Sequence, residues 1–355
     1  MMTPAQVVTS VHMGEPLQER SLVGIKLDRA PLRGGLFRAV DFSNADLSGA
    51  DLRESSFVEC NLSGANLTGA LLRATVFHQT RLLGAQCVGS NWLNAKLIES
   101  DLSEADLRET DFKLAALSQC RLDKALWQRA SLPQTSILQC SMVGVDLTGS
   151  VMHQATFSEC VFEDAIMAEL NCVLTMFNKL DFSNRNFSGL SFVGCQFNET
   201  KLIQTNFSDA SLDQCNFMGA DLSGSQFVRA KAPNCLFPNV RAVGSNFAAA
   251  DLRQSIWQDA KLAKCQFDGA NLHQAYFEKI KAIDCSVRDT ELTYADFSHG
   301  QLAHCIFDGA TMQRAVFHDT QEENISMPQR SQTLGTDKVR LKAERWGQAA
   351  STKSA

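Results

Sequence analysis

The chain has 355 residues, 45% of them apolar, and a formal net charge of −6. That balance offers no clustered Lys and Arg for the phosphates of a nucleic acid. No stretch reaches the ~18 to 20 continuous apolar residues that cross a bilayer, so no membrane span is expected.

Residues 1–20 carry neither the basic start nor the apolar run of a secretory signal. They are read as a lead-in or cap, and the protein is expected in a cytoplasm; export by a specialised secretion system stays open. Twelve cysteines in that compartment imply reduced thiols rather than a disulfide framework.

From Leu22 a period of five takes over and runs without insertion or deletion to Phe317. Its sixty positions hold 24 Leu, 22 Phe and 3 Trp. All 22 phenylalanines of the chain lie in this register, where random placement would put about a fifth of them. The position two residues earlier is held to small side chains, as in Ala45, Ala50, Ser55, Cys60, Ala65 and Ala70. A helix repeats its apolar face every 3.6 residues and a strand every two. A strict five fits a chain that takes a short extended step and then turns a corner.

The segments Ala45-Asp46-Leu47, Ala50-Asp51-Leu52, Ala65-Asn66-Leu67, Ala105-Asp106-Leu107, Ala220-Asp221-Leu222 and Ala270-Asn271-Leu272 resemble the A(D/N)LXX pattern of the pentapeptide-repeat family. The resemblance covers residues 20–320. It implies an all-β fold, a right-handed quadrilateral parallel β-helix (a solenoid) of about 15 coils with four pentapeptides each, the Leu or Phe and the small residue pointing inward. The expected organisation is a lead-in over 1–20, the β-helix over 21–320, and a tail over 321–355.

Stacking at twenty residues sorts side chains by face. Phe157, Phe177, Phe197, Phe217, Phe237, Trp257, Phe277, Phe297 and Phe317 form one aromatic column. Near 165–190 the repeat weakens: Leu170, Leu180 and Leu190 take small positions and Arg185 takes an inward one. A buried guanidinium is costly, so a local bulge turning Arg185 outward is expected. All twelve cysteines occupy inward positions, in runs such as Cys120, Cys140, Cys160. They read as small apolar packing, since parallel side chains suit disulfides poorly and no C-x-x-C or interleaved His marks a zinc site.

Further along, Leu236, Ile256 and Tyr276 occupy an outward position, normally Asp, Asn or Lys, on three successive coils. Beside them Pro233 and Pro238, with the small central residues Ala232 and Ala242, are read as a kink or protrusion. His299, His304 and His318, near Asp284, Asp296 and Asp319, are read as solvated polar surface, with no metal assigned. In the tail Val339, Ala343 and Trp346 have i, i+4, i+7 spacing, which predicts a short helix. It serves as a cap for the last coil or as a docking element.

No nucleophile elbow, H-E-x-x-H or Walker-type loop is present in the sequence, so no catalytic residues and no cofactor are expected. Glycines such as Gly49, Gly64 and Gly224, two after a central residue, are read as corners. The function expected is a non-catalytic, rigid protein-interaction scaffold, an accessory, adaptor or effector of a bacterial secretion system. Leu236, Ile256, Tyr276 and Trp346 are its candidate contact residues. The partner is a protein, and homo-oligomers through a coil end or the C-terminal tail are a further expectation. The alternative, which rests on the family resemblance, is a DNA mimic that binds a type II topoisomerase (gyrase). It needs a continuous acidic surface, whereas the coils carry 33 acids and 26 bases, with stacks such as Arg33, Arg53 and Arg73 breaking any stripe.

Overall fold

The structure, a computed structural model, describes residues 2–351. It is an all-β parallel β-solenoid of about 15 turns. The chain divides into two compact units, Met1–Asp181 and Phe182–Ala355.

In the first unit, strands of two or three residues recur every twenty residues: Leu17–Gln18, Leu36–Arg38, Ser56–Val58, Val76–His78 and onward to Met176–Asn178, in one nine-stranded sheet. All pairings are parallel, with Phe37 opposite Phe57 and Phe57 opposite Phe77. Single-residue bridges at the same offset form the other sides of each coil, as in Ser21 to Asp41, Lys26 to Asp46 and Pro31 to Asp51. The second unit repeats this, with a five-stranded parallel sheet from Arg241–Val243 to Gln321–Glu323. An offset of twenty, kept throughout the repeat and lost only at the last bridge from Val316 to Leu334, is four pentapeptides per coil.

The local chemistry explains the five-residue motif. All sixty central residues are buried. The central N–H reaches the next coil (Leu47 N to Asn66 O, 2.8 Å) and the residue before it reaches back (Asp46 N to Ile25 O, 2.9 Å). Each corner then closes on itself: Ala45 N donates to Phe42 O at 2.9 Å, with Asn44 at φ 55°. A positive φ at the third residue marks a type II turn. Asp or Asn before the central residue serves that corner by accepting its N–H groups, as Asp46 Oδ1 does from the Ser48 N–H at 3.3 Å and the Ser48 hydroxyl at 2.7 Å. Glycine is only one occupant of the left-handed site. Glu54 (62°), Glu59 (56°) and Leu114 (60°) adopt it too, at roughly 1–2 kcal/mol each.

The small inward position accepts Ser, Thr and Cys for a reason the pattern does not show. Ser55 Oγ donates to Leu32 O at 2.9 Å, Thr75 Oγ1 to Leu52 O at 2.8 Å, and Cys235 Sγ to Leu212 O at 2.8 Å, each reaching the carbonyl 23 residues back. These hydroxyls and this thiol are buried but not orphaned, whereas the buried Ser225 hydroxyl at the same kind of position has no partner among the described residues. All twelve cysteines are buried and none forms a disulfide. Arg185 departs from expectation. Its backbone keeps the regular ladder (Asn206 N to Arg185 O, 2.8 Å) and the residue is half-buried, so no bulge forms. The corner geometry accommodates the long side chain without leaving register. The prolines also correct the sequence reading. Pro238 is the second residue of a type II turn, Val240 N bonding to Phe237 O at 3.4 Å with Asn239 at φ 57°. Proline is favoured at that place, so residues 231–240 continue the coil without a kink.

Helices stand at both ends. Helix α1 (Pro4–His12) opens with a capping box between Thr3 and Gln6 and buries Val7 and Val11. At the other end the core is closed by charge. Glu322 pairs in register with Leu302, so a carboxylate stands where the next apolar residue would be. Arg330 binds it at 2.7 Å and lays its guanidinium over the Phe317 ring at 4.7 Å. Helix α2 (Lys338–Ser351) follows. Among the described residues no helix is long and apolar enough to cross a membrane.

Candidate functional site

Two features of the second unit stand out from the repeat. Leu236, Ile256 and Tyr276 form consecutive parallel bridges, and the row continues to Asp296, Val316 and Leu334. Each of the three is half-buried, because its neighbours above and below cover part of it; the ladder is less exposed than isolated outward residues would be. Beneath it the core is the aromatic column, with Phe217 to Phe237 at 5.0 Å and Phe237 to Trp257 at 4.0 Å. The Tyr276 hydroxyl donates to the Glu278 carboxylate. Burial and that carboxylate push the phenol up to about 12, so it stays a donor.

The second feature is where α2 meets the last coils. Asp337 caps the helix, accepting from Val339 N at 2.8 Å and Arg340 N at 3.1 Å. Its own N–H donates to His318 Nδ1 at 3.1 Å. His318 is 1% exposed, which overturns its reading as solvated surface: α2 supplies the partners that let the ring be buried. Its Nε2 faces Glu344 Oε2 at 3.1 Å. His299 Nε2 lies 3.5 Å from the same oxygen, and its Nδ1 lies 3.4 Å from Asp319. Arg340 Nε donates to Glu344 Oε1 at 2.8 Å. Bonds from His318 and Arg340 hold the Glu344 carboxyl below its usual range. His304 and Asp284 are exposed and outside this group.

The predicted helix therefore forms, but with a different face inward. Among the described side chains of α2, Leu341 and Glu344 are the half-buried positions, whereas Val339 and Trp346 are 81% and 77% exposed. Trp346 does not cover the ladder. The apolar spacing pointed to the wrong stripe, because α2 docks through polar bonds to His299 and His318. The i, i+4 pair Arg340 and Glu344 was the available signal.

A parallel coil of twenty residues with inward Leu or Phe defines the class of pentapeptide solenoids. The model of the family "Pentapeptide repeats" matches in eight copies, which include 21–58, 36–73, 76–113, 111–149, 195–231, 245–281 and 282–321, and the chain belongs to that family. Pentapeptide repeat proteins are typically non-catalytic structural folds. Solved structures similar to it include HetL, a pentapeptide repeat protein involved in heterocyst differentiation regulation from the cyanobacterium Nostoc sp. strain PCC 7120 (21% identity, 79% of this chain and 97% of that one, TM-score 0.33). A pentapeptide repeat protein of the Arabidopsis thaliana thylakoid lumen is 31% identical over 28% of this chain and 67% of its own (TM-score 0.25). QnrB1, a plasmid-mediated fluoroquinolone resistance protein, is 18% identical over 70% of this chain and 90% of its own (TM-score 0.26). No curated protein sequence matches the chain.

Proposed function

We propose that the chain is a non-catalytic scaffold that holds a protein partner on the face carrying Leu236, Ile256 and Tyr276. The observation that carries this reading is the stacking of the three on consecutive bridges, at a position that is mostly polar along the chain, although Leu36, Leu71, Val151, Val161 and Ile166 are apolar there too. The sixty central residues already fill the interior, so these three add nothing to the core. Contiguous outward apolar surface of this kind marks binding sites more often than chance placement does. The rigid backbone ladder fixes the spacing of the three side chains, so a partner pays little ordering cost on this side. An accessory or adaptor role in a bacterial secretion system is the setting this reading takes.

The test replaces all three by Asn. Surface changes away from the core cost within about ±0.5 kcal/mol each, so the melting transition should move little. Association with the partner recovered by the unaltered chain should weaken at least about tenfold, which is 1.4 kcal/mol. A variant that keeps its oligomeric state and its full set of co-purifying proteins refutes the proposal.

A further inference from the structure

We propose that His299, His318 and Glu344 bind one divalent transition-metal ion, zinc by preference, that pins α2 to the last coils. The three offer Nε2, Nε2 and Oε2, and their ligand atoms lie within 4.8 Å of one another. Two of the separations are 3.1 and 3.5 Å, close to the spacing of donors that share an ion at about 2.0–2.2 Å. Two imidazoles and one carboxylate form a nitrogen-rich set that suits Zn²⁺, Co²⁺ or Ni²⁺ and disfavours Ca²⁺ and Mg²⁺. The fourth position falls to water, which the half-buried His299 and Glu344 admit.

Outer partners already orient two of the ligands, as metal sites require. Asp319 stands at His299 Nδ1, and Arg340 occupies Glu344 Oε1, leaving Oε2 for the ion. His318 sets the one condition. Its Nδ1 accepts the Asp337 N–H, so without metal the ring proton sits on Nε2 and is donated to Glu344. A metal at Nε2 moves that proton to Nδ1 and gives up the Asp337 amide bond. The thiols do not compete for the ion while the chain is folded, because all twelve are buried.

The experiment uses the full chain, stripped with chelator and kept reduced, and titrates it with Zn²⁺ and with Co²⁺ alone. Expected are one equivalent bound at micromolar or tighter affinity, a raised melting temperature, and visible Co²⁺ bands without thiolate-to-cobalt charge transfer. His299→Ala and Glu344→Ala lie outside the core; each should weaken binding at least about tenfold while keeping the circular dichroism of the fold. Absence of saturable binding leaves a metal-free hydrogen-bonded latch and overturns the proposal. Binding that survives both variants, or that shows thiolate charge transfer, overturns it equally.

Discussion

Replacing Phe217 by Ala tests the packing argument at its centre. Phe217 is fully buried. It stacks on Phe197 at 5.1 Å and 6° and on Phe237 at 5.0 Å and 2°, and meets Phe207 and Phe227 edge-on at 6.0 and 5.8 Å. Truncating a buried Phe costs about 3–5 kcal/mol, depending on how far the site collapses. Here collapse is opposed, because the rungs are held by backbone bonds such as Phe217 N to Leu236 O at 2.7 Å. Four ring pairs also disappear, each worth about 0.5–1.5 kcal/mol beyond area. The loss should therefore lie at the top of the range, about 4–5 kcal/mol. Phe217→Leu keeps most of the volume and should cost about 1.5 kcal/mol, and Trp346→Ala, in water, within about 0.5 kcal/mol. Guanidinium unfolding followed by circular dichroism reads all three as midpoint shifts at a shared slope. A loss below about 2 kcal/mol for the alanine variant, or equal losses for Ala and Leu, would show that the coils close over the gap, and the rigidity argument fails.

Thiol labelling without reductant should find close to twelve free cysteines in denaturant and few in the folded chain; burial holds even Cys60 up at about 11, where little thiolate exists at neutral pH. Asp51, Asp106 and Asp251 each grip the Arg two residues on, at 2.6–2.7 Å between carboxylate and Nη2, and their pKa values are lowered chiefly by that bond. A lowered folded value contributes stability above the unfolded value near 3.9 and loses it as pH falls through the folded one. Asp51→Asn, Asp106→Asn and Asp251→Asn together should thus flatten the acid limb of a pH–stability curve, and an unchanged limb would discount these pairs. Replacing both Glu322 and Arg330 by Leu should produce concentration-dependent self-association in sedimentation, since it extends an apolar end; a monomeric double variant would show that the charged pair is not what closes the coil.

The coil was legible in the sequence because its cause is local. Every pentapeptide repeats the same inward step, so register, core and period could be read from Leu and Phe alone. The latitude of the pattern was less visible. Pro238 looked like a break and is a turn residue, Arg185 looked like a bulge and keeps the ladder, and both follow from corners that bear a wide range of side chains. In the sequence His299 and His318 read as solvated surface, and Glu344 was missed as their partner, because the group joins two coils to a helix outside the repeat, and α2 docks through hydrogen bonds that leave no apolar periodicity. Trp346 misled for the same reason.

The twenty-residue offset makes sequence length act as an address. Within either unit, inserting or deleting twenty residues returns every later side chain to its own face, one rung displaced. Inserting five keeps the core intact, since large and small residues still alternate, yet moves everything downstream by one side of the coil. A five-residue insertion between Leu236 and Ile256 would send Ile256 and Tyr276 to a neighbouring face while leaving the fold unharmed. Surface patterns in such a chain can thus be redrawn by repeat number alone, without changing one buried residue.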